Sequence, residues 1–126
     1  RGNGCTVANC NNIGSSGSNT WTSVYNMLET SHSCSACHTG GQEPTLTTKA
    51  AAYSDLVNVA DPGMCNQTRV IPNNPSGSLL LDKVIYDTGN PQMCGSTMPA
   101  WSATVSLTFA QQDQIRRWIC HGAQNN

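Results

Sequence analysis

The spacing of apolar residues predicts one helix early in the chain and another at its end. In the first, from about residue 20 to 31, apolar residues recur at positions i, i+3, i+4 and i+7: Trp21, Val24, Tyr25 and Leu28. Asn19 or Thr20 can cap this helix. The last helix begins at Thr108, where Gln111 completes a capping box, and a glycine stops it. Its apolar stripe consists of Phe109, Ile115, Trp118 and Ile119.

Two shorter helices are predicted between these. One runs from about Thr47 to Val57, where three consecutive alanines supply helix propensity. The other runs from Leu79 to about Tyr86, with Ser76 or Ser78 as its cap and with apolar pairs at i,i+4 spacing. The pattern therefore predicts an all-α fold of about four helices.

Three segments lack such periodicity. Residues 1 to 19 are Gly, Asn and Ser around two cysteines, a composition that cannot bury enough apolar surface to fold by itself. We interpret them as an arm held by disulfides or by a neighbouring molecule, and residues 20 to 126 as the single domain. Residues 65 to 74 are predicted as a loop. Residues 88 to 106 form a longer loop, of a length that is usually functional in a small domain.

Composition narrows the classes of partner. Charged residues make up only 10% of the 126 residues, and the net charge is −1. With two lysines and four arginines no basic patch can form, so nucleic acid and an anionic membrane are poor partners. No apolar run is long enough for a membrane span, and we expect no signal peptide within these residues. We expect Arg1 to follow a cleavage site or an engineered start.

Seven cysteines in a chain of this size indicate an oxidising compartment, so a periplasmic or extracellular location is expected. Two belong to the motif described next. The other five are Cys5, Cys10, Cys65, Cys94 and Cys120. Because five is an odd number, at least one is unpaired within the chain or bonded to another molecule. An intermolecular disulfide through Cys5, Cys10 or Cys120 is one option.

The segment Cys34-Ser35-Ala36-Cys37-His38 carries the strongest chemical signal. Two thiols three positions apart can each add to a vinyl group of haem, and the adjacent histidine can then supply the proximal nitrogen to the iron. A thioredoxin-like pair would need alternating strands and helices, which the pattern does not show. Zinc would need a second ligand pair, and a structural disulfide gives no reason for the histidine. The motif predicts one covalently attached haem c.

The other axial position of the iron needs a second ligand. Met98 is favoured because it lies in the long loop and is followed by Pro99, which rigidifies the chain. A methionine opposite a histidine raises the reduction potential. The segment Trp118 to His121 resembles half of a haem motif, but a disulfide explains Cys120 better. The weaker candidate ligands, each with a simple packing or surface explanation, are Met27, Met64, Met93, His32 and His121.

Together these features resemble the class I mono-haem cytochromes c, from about Trp21 to Ala123. Within that class the chain is most similar to the small planctomycete-type domains of exported bacterial proteins. The stretches that carry the resemblance are Cys34 to His38, Ala52 to Val57, Val70 to Leu80, Cys94 to Pro99 and Ile115 to Ile119. The resemblance implies a cytochrome c-like fold, with about four helices wrapped around one covalently bound haem.

The resemblance also implies roles for individual residues. Those that would hold the haem are Cys34, Cys37, His38 and Met98, with His38 proximal and Met98 distal. Cys65 and Cys94 fall where members of that group often have a disulfide. The cysteine-bearing arm, Cys120 and the low charge depart from the pattern, so the partner and the assembly state cannot be carried over.

Three functions follow as hypotheses. The leading one is one-electron transfer between redox partner proteins, which requires no catalytic apparatus, so we expect no enzyme. The second is a subunit that assembles with copies of itself, as in a filament that passes electrons between haems. The third is a haem enzyme or sensor with an open iron site. It is disfavoured because no distal His–Arg pair is evident, and solvated charge explains Arg116 and Arg117.

Overall fold

The computed structural model describes residues 9–15, 17, 19–39, 43–84 and 107–126, and this part of the chain contains four α-helices. Their bounds are Trp21–His32 for α1, Lys49–Leu56 for α2, Leu79–Val84 for α3 and Phe109–Cys120 for α4. Each lies where the apolar spacing predicts a helix, although the predicted end of the third, at Tyr86, is outside the described residues. None of these helices is both long and apolar enough to cross a membrane.

The two longest helices begin at the threonines that the sequence offers as caps. Thr20 Oγ1 accepts a hydrogen bond from Ser23 N at 3.1 Å. At α4, Thr108 Oγ1 accepts from Gln111 N at 3.1 Å, and Gln111 Oε1 accepts from Thr108 N at 2.9 Å. The predicted capping box is therefore confirmed.

The predicted serine cap of α3 is wrong. Ser78 is fully buried, and its hydroxyl accepts a hydrogen bond from Ile71 N at 2.8 Å and donates to Asn74 O at 2.8 Å. The side chain therefore closes the loop before α3 instead of capping the helix.

Helices α1 and α4 pack against each other through two tryptophans. Trp21 and Trp118 are buried, and their ring centroids lie 4.8 Å apart in a stacked arrangement. Tyr53 of α2 meets both rings edge-on and donates its hydroxyl to Ala123 O. Asn126 Oδ1 accepts a hydrogen bond from Trp21 N. The residues after α4 are thus fixed against the start of α1.

The segment between α2 and α3 contains a small hairpin that the sequence does not predict. Strands β1 (Ala60–Asp61) and β2 (Gln67–Thr68) pair antiparallel. Two residues per strand are too few for an alternating pattern to be recognised. Cys65 and Asn66 turn the chain with positive φ angles of 56° and 60°. The prediction of a plain loop over residues 65 to 74 is therefore wrong for its first part.

The N-terminal arm is fastened to the end of α4 by a disulfide between Cys10 and Cys120. The prediction that Cys120 is in a disulfide is confirmed. The option of an intermolecular bond through Cys10 or Cys120 is wrong, because these two thiols are bonded to each other. The third option, Cys5, lies outside the described residues. Cys65 is also disulfide-bonded, and its predicted partner Cys94 lies outside the described residues.

Arg116 joins the arm to α4 through backbone contacts. The residue is 3% exposed, and Nη1 donates to Asn9 O at 2.7 Å and to Asn11 O at 3.0 Å. Its Nε donates to Asp113 at 2.7 Å. The interpretation of both adjacent arginines as solvated charge is thus wrong for Arg116, because the arm covers it. Arg117 is one-third exposed and also donates to a carbonyl oxygen of the arm.

Replacing Arg116 by lysine tests this attachment. Lysine keeps the charge but has one ammonium group in place of the planar guanidinium, so it cannot reach two carbonyl oxygens and Asp113 together. We expect Arg116→Lys to lower the free energy of unfolding by about 2 kcal/mol in urea titrations, since hydrogen bonds to charged groups contribute roughly 1.5–3 kcal/mol. Arg117→Lys is the matched control and should cost clearly less. Equal losses would contradict the proposed role of Arg116.

The carboxyl group of Asp113 gives this cluster a pH dependence. Burial alone would raise its pKa, but hydrogen bonds from Arg117 and Arg116 hold the pKa below its ordinary value. A carboxyl group with a lowered folded pKa stabilises the protein above its unfolded pKa of about 3.9, and this contribution is lost as the pH falls through the folded pKa. Asp113→Asn should therefore lower stability at neutral pH and much less near pH 2. A loss that is the same at both values would show that the charge is not the cause.

Candidate haem site

The Cys34 to His38 motif follows α1 directly. Ser33 ends the helix in the left-handed conformation, with a φ of 49°. Cys34–Ala36 then form one turn of 3₁₀ helix, and the N–H groups of Cys37 and His38 both donate to Cys34 O, at 3.2 and 3.1 Å. The two thiols and the imidazole therefore belong to one closed turn.

Glu29, in the last turn of α1, holds this turn in place. Its carboxylate accepts hydrogen bonds from the backbone N–H of Ser35, at 3.0 Å, and from the Ser35 hydroxyl. Hydrogen bonds to an ionised carboxylate are roughly twice as strong as neutral ones. The second residue of the motif is thus fixed by a contact within the chain.

The tautomer of His38 follows from its hydrogen bond to the backbone. Nδ1 lies 2.9 Å from Pro44 O. Because a carbonyl oxygen can only accept, Nδ1 must carry the proton, which leaves the Nε2 lone pair to bind a metal. A backbone carbonyl is a common partner of the second nitrogen of a metal-binding histidine. His38 is therefore prepared to coordinate through Nε2.

An apolar cleft opens beside the turn, with Cys34 and His38 in its lining. Its empty volume is about 740 Å³, including the part open to solvent. The apolar walls come from helices α1, α2 and α3 and the segment before α2: Leu28, Pro44, Leu46, Leu56, Leu79, Leu80 and Val84. The lining and the donor set of thiol and imidazole fit a haem.

The thiols themselves discriminate between the alternatives for the motif. Cys34 is half-buried, Cys37 is exposed, and neither forms a disulfide. Burial raises the pKa of Cys34 to about 11, with smaller contributions from the nearby Glu29 and Cys37. A redox C-x-x-C pair depends on a lowered thiol pKa that supplies a thiolate. This environment argues against the thioredoxin-like alternative. Within the described ranges, no group of three or more His, Cys, Asp and Glu side chains could hold a metal ion.

Arg69 places a positive charge at the polar edge of the cleft. It is 5% exposed, and Nε donates to Asp61 at 3.0 Å while Nη1 donates to Asp55 O at 2.9 Å. Glu43 lies 3.7 Å from Nη2. Lys83 also lines the cleft. Burial lowers the pKa of its ammonium group, and the negative charge of Asp61 offsets part of this effect. No sequence motif predicts this cluster, because its members come from separate segments and share no spacing.

The four methionines differ in what the structure shows of their position relative to the cleft. Met98, the predicted distal ligand, lies outside the described residues, as does Met93. Met64 is in the lining of the cleft, and Met27 packs against the hydrophobic core. Met64 is thus the rival methionine that the described structure brings to the site.

The two remaining histidines have other surroundings. His32 Nε2 lies 2.9 Å from Gln111 Oε1 at the start of α4. His121 is the C-cap residue of α4. Neither is among the described residues that line the cleft.

No family model, no curated protein and no solved structure matches this chain. The resemblance to class I cytochromes c therefore rests on the five stretches of sequence quoted above. The features of the described structure that bear on function are the motif turn, the tautomer of His38 and the apolar cleft.

Proposed function

We propose that this protein transfers single electrons through one covalently attached haem c. The observation that supports this most directly is the closed turn that carries Cys34, Cys37 and His38, with Cys34 and His38 in the lining of the apolar cleft. The hydrogen bond from His38 Nδ1 to Pro44 O adds to it, because it leaves the other ring nitrogen for the iron. A site with these three features suits a haem better than zinc or a redox disulfide.

Each residue of the proposed site has a separate task. Cys34 and Cys37 would each form a thioether bond, and His38 would bind the iron through Nε2. Met98 would be the second protein ligand of the iron, which would leave no open position for a substrate. When bound, the haem supplies a one-electron couple. Because no proton or group transfer is required of the chain, we propose that the protein is not an enzyme.

The apolar walls have two effects in this proposal. Leucines from three helices exclude water from a bound group, which favours the less charged, reduced state of the site. The covalent bonds and the hydrogen-bonded turn hold the site in one geometry, which limits reorganisation when an electron arrives or leaves. Both effects are contributions of the protein to the cofactor.

The proposed partners are redox proteins outside the cytoplasm. The disulfide between Cys10 and Cys120 is compatible with export to an oxidising compartment. It also removes two of the three cysteines that could link copies of the chain. We therefore propose a carrier that meets its partners transiently, and no observation favours the filament over it.

The visible spectrum of the purified protein, oxidised and reduced, tests the proposal together with the variant Met98→Ala. We expect a low-spin c-type spectrum, with a weak band near the red end of the oxidised form that disappears in Met98→Ala. The haem should stay with the polypeptide on denaturation, because the thioether bonds to Cys34 and Cys37 are covalent. Replacing both cysteines with serine should release it.

Met64→Ala is the matched control, because Met64 lines the cleft. It should keep the red band. Loss of the band in Met64→Ala but not in Met98→Ala would move the axial ligand to Met64. A high-spin spectrum of the unaltered protein would overturn the electron-carrier proposal in favour of an open iron site.

A further inference from the structure

Asp55 lies one peptide group away from the proximal histidine. Its Oδ2 accepts a hydrogen bond from Thr45 N at 2.6 Å. Pro44 O, which accepts from His38 Nδ1 at 2.9 Å, belongs to the same peptide group as Thr45 N. A carboxylate, an amide and an imidazole are thus connected in series by two hydrogen bonds.

We infer that Asp55 is a positioning residue that acts on His38 through the Pro44–Thr45 peptide group and lowers the reduction potential of the site. The inference rests on the proposed function, since it concerns the same haem ligand. It assigns to Asp55 the role that a carboxylate has when it contacts a metal-binding histidine directly.

The direction of the effect follows from polarisation of the amide. A negative charge at the N–H end of the Pro44–Thr45 peptide moves electron density toward Pro44 O, because hydrogen bonds in a chain polarise one another. The carbonyl oxygen then accepts more strongly from His38 Nδ1. Stronger acceptance raises the basicity of Nε2. A more basic ligand stabilises ferric over ferrous iron, so the reduction potential falls.

The surroundings of Asp55 hold it in this position. It is the second-last residue of α2, and Arg69 Nη1 donates to its backbone oxygen at 2.9 Å. The same guanidinium nitrogen lies 3.4 Å from Asp55 Oδ1. The two carboxylate oxygens therefore have different partners, and the shorter contact is the one to Thr45 N. Arg69 orients the carboxylate, and the Thr45 N–H donates the shorter of the two contacts to it.

Asp61 provides a matched comparison. It also contacts Arg69, through Nε at 3.0 Å, and its side chain is 14% exposed against 28% for Asp55. Asp61 lines the cleft, whereas the described lining does not include Asp55. If only charge acting through space mattered, removal of the Asp61 charge would have the larger effect. If the peptide group carries the effect, Asp55 must have the larger one.

The experiment is a spectroelectrochemical titration of the haem-loaded protein and of the variants Asp55→Asn and Asp61→Asn. Asparagine can still accept from Thr45 N through its side-chain oxygen, so the geometry is kept while the charge is lost. We expect Asp55→Asn to raise the midpoint potential by about 59 mV, a tenfold change in the one-electron equilibrium constant. Asp61→Asn should shift it by clearly less.

A second readout separates this role from a merely structural one. In the reduced, diamagnetic protein the His38 Nδ1 proton should resonate at higher field in Asp55→Asn, because its hydrogen bond to Pro44 O is weaker. The same resonance should stay unchanged in Asp61→Asn. The low-spin spectrum should be the same in all three proteins.

Equal shifts of potential in the two variants, or a larger shift in Asp61→Asn, would overturn the inference and leave the electron carrier intact. If the proposed function is wrong, the visible spectrum of the unaltered protein, recorded before the titration, will lack the features of His/Met ligation. If Asp55→Asn does not fold, the rate of hydrogen exchange of the Thr45 amide in the unaltered protein tests the inference instead. Slow exchange supports the hydrogen bond to Asp55, and exchange at the rate of a free loop amide overturns it.

Discussion

The site depends on the hydrogen bond between His38 Nδ1 and Pro44 O, because this contact fixes both the tautomer and the orientation of the imidazole. The segment that supplies the carbonyl oxygen is itself tied back to the motif. Leu46 N donates to His38 O at 2.9 Å, and the hydroxyl of Tyr25, on α1, donates to Leu46 O at 3.0 Å. The His38 imidazole is therefore oriented by a short loop that is anchored to the helix before the motif. A distortion of α1 would reach the imidazole through two hydrogen bonds.

The described residues of the arm and helix α4 form a second unit, and none of them is in the described lining of the cleft. Arg116 and the Cys10–Cys120 disulfide attach the arm at the far end of α4. The stacked Trp21 and Trp118 connect that helix to α1. Helix α1 leads directly into the motif turn. The contacts that hold α4 in place therefore also support the position of this turn. The described part of the arm thus contributes to the scaffold, because the backbone oxygens of Asn9 and Asn11 accept hydrogen bonds from the buried Arg116.

Features encoded by neighbouring residues could be predicted, and features that join distant segments could not. The capping box at Thr108 and the apolar face of α1 are local, so spacing alone identifies them. The C-x-x-C-H motif is local as well, and the structure forms it as one turn. The burial of Arg116 depends on carbonyl oxygens about a hundred residues earlier in the chain, which no local pattern reports.

The same distinction applies to the polar part of the site. Arg69 directly follows strand β2 and donates a hydrogen bond to Asp61 of strand β1. Because each strand has only two residues, no periodic pattern in the sequence predicts this contact. The contact of Asp55 with the Pro44–Thr45 peptide group requires α2 to fold back on the preceding loop. Neither arrangement has a sequence motif, because each is fixed by backbone geometry and not by residue type alone. Haem attachment at Cys34 and Cys37, iron ligation by His38 and iron ligation by Met98 all remain predictions, and Met98 lies outside the described residues.

Most of the few positive charges of this chain lie in short-range contacts within the protein. Three of its four arginines, Arg69, Arg116 and Arg117, donate hydrogen bonds to carboxylates and backbone oxygens within the chain. Partly buried pairs of this kind are screened far less by salt than exposed charges separated by more than about 10 Å. The electrostatics at the cleft are therefore set by fixed internal contacts, and changes of ionic strength should alter them little. Long-range attraction between this protein and a charged partner has correspondingly few charged groups to draw on.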